Sequence, residues 1–218
     1  MEKEFMGILD FWLLGQIALQ KRVLLLTGSP GIGKTTVLMK TVEALKAQGY
    51  SVCGIFSREV REGGARVGFE ILDLASGRRG WLAHVNLRSG PSVGRYRVNI
   101  PDLEAVGAAA ISKAVERCDA VAIDEIGPME LFSDRFKQAA IKALDSSRLV
   151  IAVVHGKAQD PLINEARKRE DAETFAVTME NRGNLHEAIA EKAAEFLADQ
   201  KHKNPNGSSH PQNECSKP

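Results

Sequence analysis

Short apolar runs alternate with segments of helical spacing along most of the chain. Runs at 23–27 (VLLLT), 51–57, 120–124, 149–154 and 174–178 predict buried β-strands. Between them, apolar residues recur every three or four positions, which is typical of amphipathic helices. Strands that alternate with helices predict a three-layer α/β fold whose sheet is mainly parallel.

The segment after the second strand has a different pattern. Val67, Phe69 and Ile71 alternate with polar residues, and the chain returns through 81–85. This pattern predicts an antiparallel β-hairpin insertion in the parallel sheet. Residues 86–100 carry glycine, proline, serine and three arginines, and are predicted to form a loop.

Both ends of the chain differ from this central domain, which we place at 21–200. The accessory N-terminal segment 1–20 contains an apolar stretch, 5–19, that is too short to span a bilayer and lacks a positively charged leader. We expect a helix packed on the domain; a membrane-surface helix and a later start codon are the alternatives. The tail 201–218 has no apolar face and is predicted to be disordered.

Composition and charge narrow the classes of partner. The chain has 218 residues, 44% hydrophobic, with 29 basic and 28 acidic residues and a net charge of +1. These values are typical of one globular domain and give no global reason to expect a membrane or a nucleic acid. Local basic clusters leave nucleic acid open. We expect a cytoplasmic monomer.

The three cysteines, Cys53, Cys118 and Cys215, are widely spaced. Their spacing supports neither a disulfide framework nor a zinc site. Cys53 and Cys118 lie in apolar, strand-like runs, so we expect both to be small buried hydrophobic residues. This pattern is consistent with a reducing compartment.

The clearest chemical signal is GSPGIGKT at 28–35, which matches G-x-x-x-x-G-K-[ST] between a predicted strand and a predicted helix. Glycines let the backbone curl so that successive N–H groups point at phosphate oxygens. Lys34 is placed to reach the β- and γ-phosphates of a nucleoside triphosphate, and Thr35 to offer its hydroxyl to Mg²⁺. The sequence therefore predicts a triphosphate-binding loop.

A second signal is IDEIGPMEL at 123–131, directly after a buried strand. Asp124 is predicted to hold Mg²⁺ together with Thr35, and Glu125 to orient or deprotonate the attacking water. An Asp–Glu pair after a strand can also cap a helix, which is the alternative. Glu130 is left open between a functional and a structural role.

Several polar residues at predicted strand ends are further candidates. Arg58 and Arg182 lie at the ligand-binding edge of an open parallel sheet, where an arginine can neutralise charge on a transferring phosphoryl group. Asn181 lies beside Arg182, in the loop where many P-loop proteins contact the base. His155 ends another strand and is either a sensor of the γ-phosphate or a structural histidine.

On these motifs the sequence resembles the THEP1 family of nucleoside-triphosphatases. The resemblance covers roughly 22–199 and rests on GSPGIGKTT, SREVREGGARVGFEILDL, VGRYRVNI, VAIDEIGPMEL and TMENRGNL. It implies slow, Mg²⁺-dependent hydrolysis of ATP, GTP and other nucleoside triphosphates, with nucleotide contacts along two stretches. The implied contact residues are Gly28, Ser29, Pro30, Gly31, Ile32, Gly33, Lys34, Thr35 and Thr36, and Val121, Ala122, Ile123, Asp124, Glu125, Ile126, Gly127 and Pro128.

Two other functions share parts of this pattern. A small nucleoside or nucleotide kinase has the same phosphate loop and needs a lid, for which the arginine-rich segment 86–97 is a candidate. A nucleotide-gated, nucleic-acid-binding switch would bind nucleotide without turnover and show a basic face. The residues that would build that face are Arg78, Arg79, Arg88, Arg95 and Arg97.

Overall fold

A computed structural model describes residues 20–203, in which nine strands form a single sheet. The strands are β1 Val23–Thr27, β2 Val52–Glu62, β3 Ala65–Asp73, β4 Arg79–His84, β5 Ser92–Val93, β6 Tyr96–Val98, β7 Ala120–Ile126, β8 Leu149–Val154 and β9 Ala172–Ala176. The helices are α1 Lys34–Ala47, α2 Ala109–Arg117, α3 Asp134–Asp145, α4 Pro161–Lys168 and α5 Leu185–Lys203. A turn at Ile100–Asp102 and a π-helical stretch at Leu103–Ala108 lead into α2, and a 3₁₀ turn at Glu130–Phe132 precedes α3.

Five strands are mutually parallel and form one half of the sheet, in the order β2-β7-β8-β1-β9. Helices cover both of its faces. One core layer packs α1 and α5 against the sheet, and the other packs α2, α3 and α4 against the opposite face. The predicted three-layer α/β fold is confirmed, and the parallel strands direct their carboxyl ends to one edge.

The antiparallel part is larger than the predicted hairpin. β2 was expected to end at residue 57 but continues to Glu62, because its outer half pairs with β3 after its first residues have paired with β7. Gly63 and Gly64, with φ of +54° and +81°, form the two-residue turn that returns the chain. Two successive positive φ angles suit the right-handed twist of a hairpin and favour glycine.

The prediction of a loop across 86–100 is wrong in its second half. β5 and β6 form a short hairpin there, and β6 pairs with β4. Tyr96 and Val98 are buried in the core layer that also contains α2, so these two side chains hold the edge of the sheet in place. The alternation is too short for sequence periodicity to detect.

The expectation that the cysteines form no disulfide is wrong, because Cys53 and Cys118 form one across 65 positions. Cys118 is buried as predicted, and Cys53 is half-buried against the core. Their Cα atoms are 6.1 Å apart, within the range that a disulfide spans. Cys53 lies near the start of β2 and Cys118 directly follows α2. The two cysteines are too far apart in the sequence for a local pattern to pair them, and only the fold brings them together.

The chain ends lie mostly outside this description. The last helix ends at Lys203, three residues beyond the boundary predicted at 200. The predictions for 1–19 and 204–218 fall on residues that the structure does not describe. Within 20–203, no helix is both long and apolar enough to cross a membrane.

Candidate active site

The loop between β1 and α1 has the geometry of a phosphate cradle. Gly33 takes a φ of +113° where α1 begins, and in the described chain no side chain caps the first N–H groups of that helix. Lys34 Nζ donates to the carbonyl oxygens of Gly28 (3.3 Å) and Ser29 (3.4 Å), so it lies folded over the loop. Free N–H groups and one lysine give an anion site at a helix N-terminus.

Asp124 lies at the end of β7 and is only 2% exposed. Burial raises the pKa of its carboxyl to about 7, and the charge of Glu125 adds to this rise in pKa. The Thr35 hydroxyl, the Ser57 backbone N–H and the Lys34 charge oppose it. Among residues 20–203, its Oδ2 atom is buried without a hydrogen-bond partner. The structure thus brings Thr35 and Asp124 together as predicted, with one carboxylate oxygen left free.

Glu125 follows Asp124 across a cis peptide bond and leads into a tight turn. Its side chain lies against the turn at Gly127: a Cβ added to Gly127 would be 2.6 Å from Glu125 Oε1. Glu130, in the next turn, is 4% exposed. Burial raises the pKa of its carboxyl to about 8, and Glu125 contributes further to this rise in pKa. Three carboxyl groups therefore share this end of β7.

Arg182 contacts the phosphate loop. Its Nη1 lies 3.5 Å from the carbonyl oxygen of Ile32, and its Cδ would be 3.8 Å from a Cβ at Gly33. Asn181 is used within its own loop: its Oδ1 accepts from the Thr178 N–H at 2.8 Å, and its Nδ2 donates to the Ala176 carbonyl at 2.8 Å. Both polar ends of the Asn181 side chain thus already have backbone partners.

Arg58 was expected just past the end of β2 but lies inside this strand, and its side chain pairs with Glu70 on β3 at 2.6 Å. His155 Nδ1 accepts from the backbone N–H groups of Ala158 (3.0 Å) and Lys157 (3.3 Å). One nitrogen of His155 is therefore engaged in shaping its own loop.

Sequence reasoning did not select two backbone groups that lie close to the predicted site residues. The Ser57 N–H reaches the Asp124 carboxyl, and the Val177 carbonyl lies 2.8 Å from where a Cβ of Gly28 would be. Backbone groups leave no signal in residue type, so only the fold reveals them. The sequence left the role of Glu130 open, because no sequence pattern shows that a single acidic side chain is buried.

A parallel α/β sheet with a phosphate loop after its first strand and a buried aspartate on a nearby strand defines a P-loop nucleotide-binding protein. A family model described as NTPase matches residues 23–190. The chain therefore belongs to this NTPase family. Proteins named nucleoside-triphosphatase THEP1 are among the relatives of the chain.

The similarity to these relatives spans most of both chains. A nucleoside-triphosphatase THEP1 from Thermofilum pendens is 47% identical over 175 residues, 80% of this chain and 96% of that protein. Another, from Methanopyrus kandleri, is 47% identical over 173 residues, 79% of this chain and 95% of that protein.

Solved structures of similar chains share the fold. THEP1 from the hyperthermophile Aquifex aeolicus has a TM-score of 0.69 at 31% identity, with 77% of this chain and 96% of that chain covered. A human cancer-related nucleoside triphosphatase has a TM-score of 0.67 at 37% identity, with 78% and 96% covered. The resemblance found in the sequence motifs is therefore confirmed.

Proposed function

We propose that the chain hydrolyses nucleoside triphosphates to diphosphate and phosphate, with Mg²⁺ and with little discrimination between bases. The observation that carries this proposal is the buried Asp124, which has a free carboxylate oxygen beside Thr35 of the phosphate loop. Membership in a family with relatives named nucleoside-triphosphatases supports the same reaction. The lysine and helix N–H groups supply the phosphate contacts.

The residues present fit Mg²⁺. In P-loop sites this ion is held by one or two protein oxygens, with phosphate and water completing its octahedron. Thr35 Oγ1 and Asp124 Oδ2 are such oxygens, and burial of Asp124 with one oxygen unpartnered is costly unless a cation is bound there. When bound, the ion would neutralise charge on the β- and γ-phosphates.

The chain's own residues divide the remaining tasks. Lys34 lies over the loop and is free to exchange its two carbonyl partners for phosphate oxygens. Glu125, which follows Asp124 near the end of β7, would accept a proton from the attacking water. Arg182 contacts the loop and is the arginine best placed to reach the terminal phosphate.

Weak base selectivity is supported by the state of Asn181. Its side-chain oxygen and nitrogen are both engaged with backbone groups of 176–178, so it offers few free hydrogen bonds to a base. A site that reads a base by hydrogen bonds discriminates far more strongly. We expect catalytic efficiencies for ATP, GTP, CTP and UTP to agree within about a hundred-fold.

The two alternative functions, a small kinase and a nucleotide-gated, nucleic-acid-binding switch, have less structural support. In the segment 86–97 that was a candidate lid, Arg95 donates to the Tyr96 hydroxyl (3.2 Å) and Arg97 to the Gly90 carbonyl (3.0 Å). Arg78 of the proposed basic face donates to the Ala105 carbonyl at 3.3 Å. Arginines held by the chain itself are less available to an acceptor substrate or to nucleic acid. A monomeric state and a cytoplasmic location stay predictions.

A phosphate-release panel tests the proposal. Wild-type protein is assayed with the four nucleotides, with and without Mg²⁺, and Glu125→Gln and Asp124→Asn are compared. Glu125→Gln should cut the turnover number by about a hundred-fold or more with triphosphate affinity retained, because it removes the proton acceptor and little else. Asp124→Asn should weaken the Mg²⁺ dependence itself. Phosphate release only after an acceptor is added would favour the kinase.

A further inference from the structure

Glu130 is buried in a turn whose apolar side chains are not. It is 4% exposed, whereas Phe132 in the same 3₁₀ turn is 47% exposed, and Met129 and Leu131 are half-buried. Removing a carboxyl group from water costs free energy, while burying phenylalanine would gain it. The turn therefore buries its glutamate and leaves its phenylalanine partly exposed. An energetically unfavourable arrangement of this kind is typical of functional sites.

Among the residues that the structure describes, none of the charged groups that act most strongly on the Glu130 carboxyl is positive, so no positive charge offsets the cost of its burial. The two charged groups that act most on its carboxyl are Glu125 and Asp124, both acidic and both on β7. Its hydrogen bonds come instead from backbone N–H groups, its own and that of Gly127. A salt bridge is thus not the reason for burial, and the contact with Gly127 is the informative one.

Gly127 is held on three sides. The Glu130 carboxyl accepts from its N–H, and its carbonyl oxygen accepts from the Leu131 N–H at 3.1 Å. The Glu125 side chain lies directly over its Cα, since a Cβ there would be 2.6 Å from Oε1 and 3.2 Å from Cδ of Glu125. The position of Gly127 therefore decides where the Glu125 carboxylate can rest.

We propose that Glu130 is a positioning residue for hydrolysis: its buried carboxyl fixes the Gly127 turn, and this turn supports the Glu125 carboxylate in the place where it activates water. This inference rests on the proposed hydrolase function and deepens it. Glu130 itself does not touch the nucleotide in this role. Displacements of about 1 Å at a reacting group cost up to about a hundred-fold in rate, so a fixed support has a measurable value.

The protonation state of Glu130 is consistent with this role. Burial raises the pKa of its carboxyl to about 8, so the neutral acid predominates at neutral pH. A neutral group beside Glu125 avoids repulsion between two carboxylates. Glutamine has the same shape, is neutral, and its side-chain oxygen accepts the same N–H hydrogen bond.

The experiment compares Glu130→Gln, Glu130→Ala and Gly127→Ala with wild type in steady-state hydrolysis and in nucleotide binding. Glu130→Ala should lower the turnover number roughly ten- to hundred-fold with KM and triphosphate affinity little changed. Glu130→Gln should restore turnover to within about threefold of wild type, since it keeps the hydrogen bond. Gly127→Ala should fold, because the three atoms nearest to its Cβ all belong to the flexible Glu125 side chain, and should lose turnover like Glu130→Ala.

Ser133→Ala is the matched control, because Ser133 is buried directly after the same turn and its Oγ accepts from the Phe136 N–H at 3.1 Å to cap α3. It should lower the melting temperature and keep turnover. Wild-type turnover in folded Glu130→Ala or in Gly127→Ala overturns the proposal, as does an equal loss in Glu130→Gln and Glu130→Ala. Should Glu130→Ala not fold, Glu130→Met, which keeps the length of the side chain without its carboxyl group, takes its place and should lose turnover likewise. Absence of phosphate release by wild type would instead refute the hydrolase function itself.

Discussion

Two regions of the sheet carry many polar side chains, and they differ in whether these side chains have hydrogen-bond or ion-pair partners. At the carboxyl edge of the parallel strands, within the described part of the chain, one oxygen of the buried Asp124 has no hydrogen-bond partner and Lys34 donates to two loop carbonyls. In the antiparallel extension, which consists of β3 to β6 and the outer half of β2, charged groups pair with one another: Glu59 pairs with Arg66 at 2.7 Å, and Arg58 with Glu70 at 2.6 Å. Unsatisfied groups mark the region prepared for a ligand, and satisfied groups mark scaffold.

The extension also satisfies its aromatic groups internally. Arg66 donates to the Tyr96 hydroxyl at 2.9 Å, and the guanidinium groups of Arg66 and Arg95 lie 5.7 Å and 5.2 Å from the Tyr96 ring centre. Phe69 meets the same ring edge-on at 5.3 Å. This cluster shows why a count of arginines is a poor guide to function: an arginine is informative where its partner is missing.

The largest expected effect is at the phosphate loop. Lys34→Ala should reduce catalytic efficiency roughly a hundred- to thousand-fold, because it removes a cation aimed at the developing phosphate charge. Lys40→Ala, an exposed lysine on the same helix, is the control and should stay near wild type. Phosphate-release kinetics on folded variants measure both. Equal activities for the two variants would mean that the loop is not the phosphate site.

The disulfide should matter for stability and not for chemistry. Cys53 and Cys118 lie at the amino-terminal end of the parallel strands, away from the phosphate loop, and close a loop of 65 residues. Cys118→Ser should lower the free energy of unfolding by about 2–4 kcal/mol, or roughly 5–15 °C in melting temperature. Turnover at low temperature should persist. Wild-type protein with a reductant should melt like the variant, and an unchanged melting temperature would contradict the pairing.

A pair of arginines compares the two regions directly. Arg182→Ala should lower the turnover number about tenfold to a hundred-fold, since Arg182 reaches the phosphate loop. Arg58 was also predicted to be catalytic, but its exposed ion pair with Glu70 leads us to expect less than about a threefold change in Arg58→Ala. Both variants are measured in the same assay. A larger loss in Arg58→Ala would show that the extension takes part in catalysis.

The last expected effect is a dependence of stability on pH in metal-free protein, which involves no change in the chemistry. The pKa of Asp124 is raised to about 7 and that of Glu130 to about 8, so between about pH 4 and pH 8 the folded state binds more protons than the unfolded state. The free energy of unfolding should therefore fall as pH rises through this window. Thermal melts in a chelator at pH 5 and pH 8 measure this fall. Glu130→Gln should show a shallower fall, and identical slopes would refute the buried-acid origin.

Most of the fold and the centre of the site could be predicted from the sequence. Apolar runs of five or six residues and the spacing of 28–35 follow from local rules, so β1, α1 and the phosphate loop were predicted correctly. β5 and β6 were missed because two or three residues carry no period. The disulfide was missed because no local pattern joins residues 65 positions apart.

The sequence by itself determined the class of fold, the phosphate loop and the acidic pair at 124–125, because each depends on a short run of residues whose chemistry is local. Only the tertiary structure decided which polar groups are already paired. A polar side chain becomes buried or paired when segments that are distant in the sequence pack together. Glu70 on β3 pairs with Arg58 on β2, and the Ser57 N–H of β2 reaches Asp124 on the neighbouring β7. The same folding buries Glu130 near the charge of Glu125, a position that no pattern in the chain could predict.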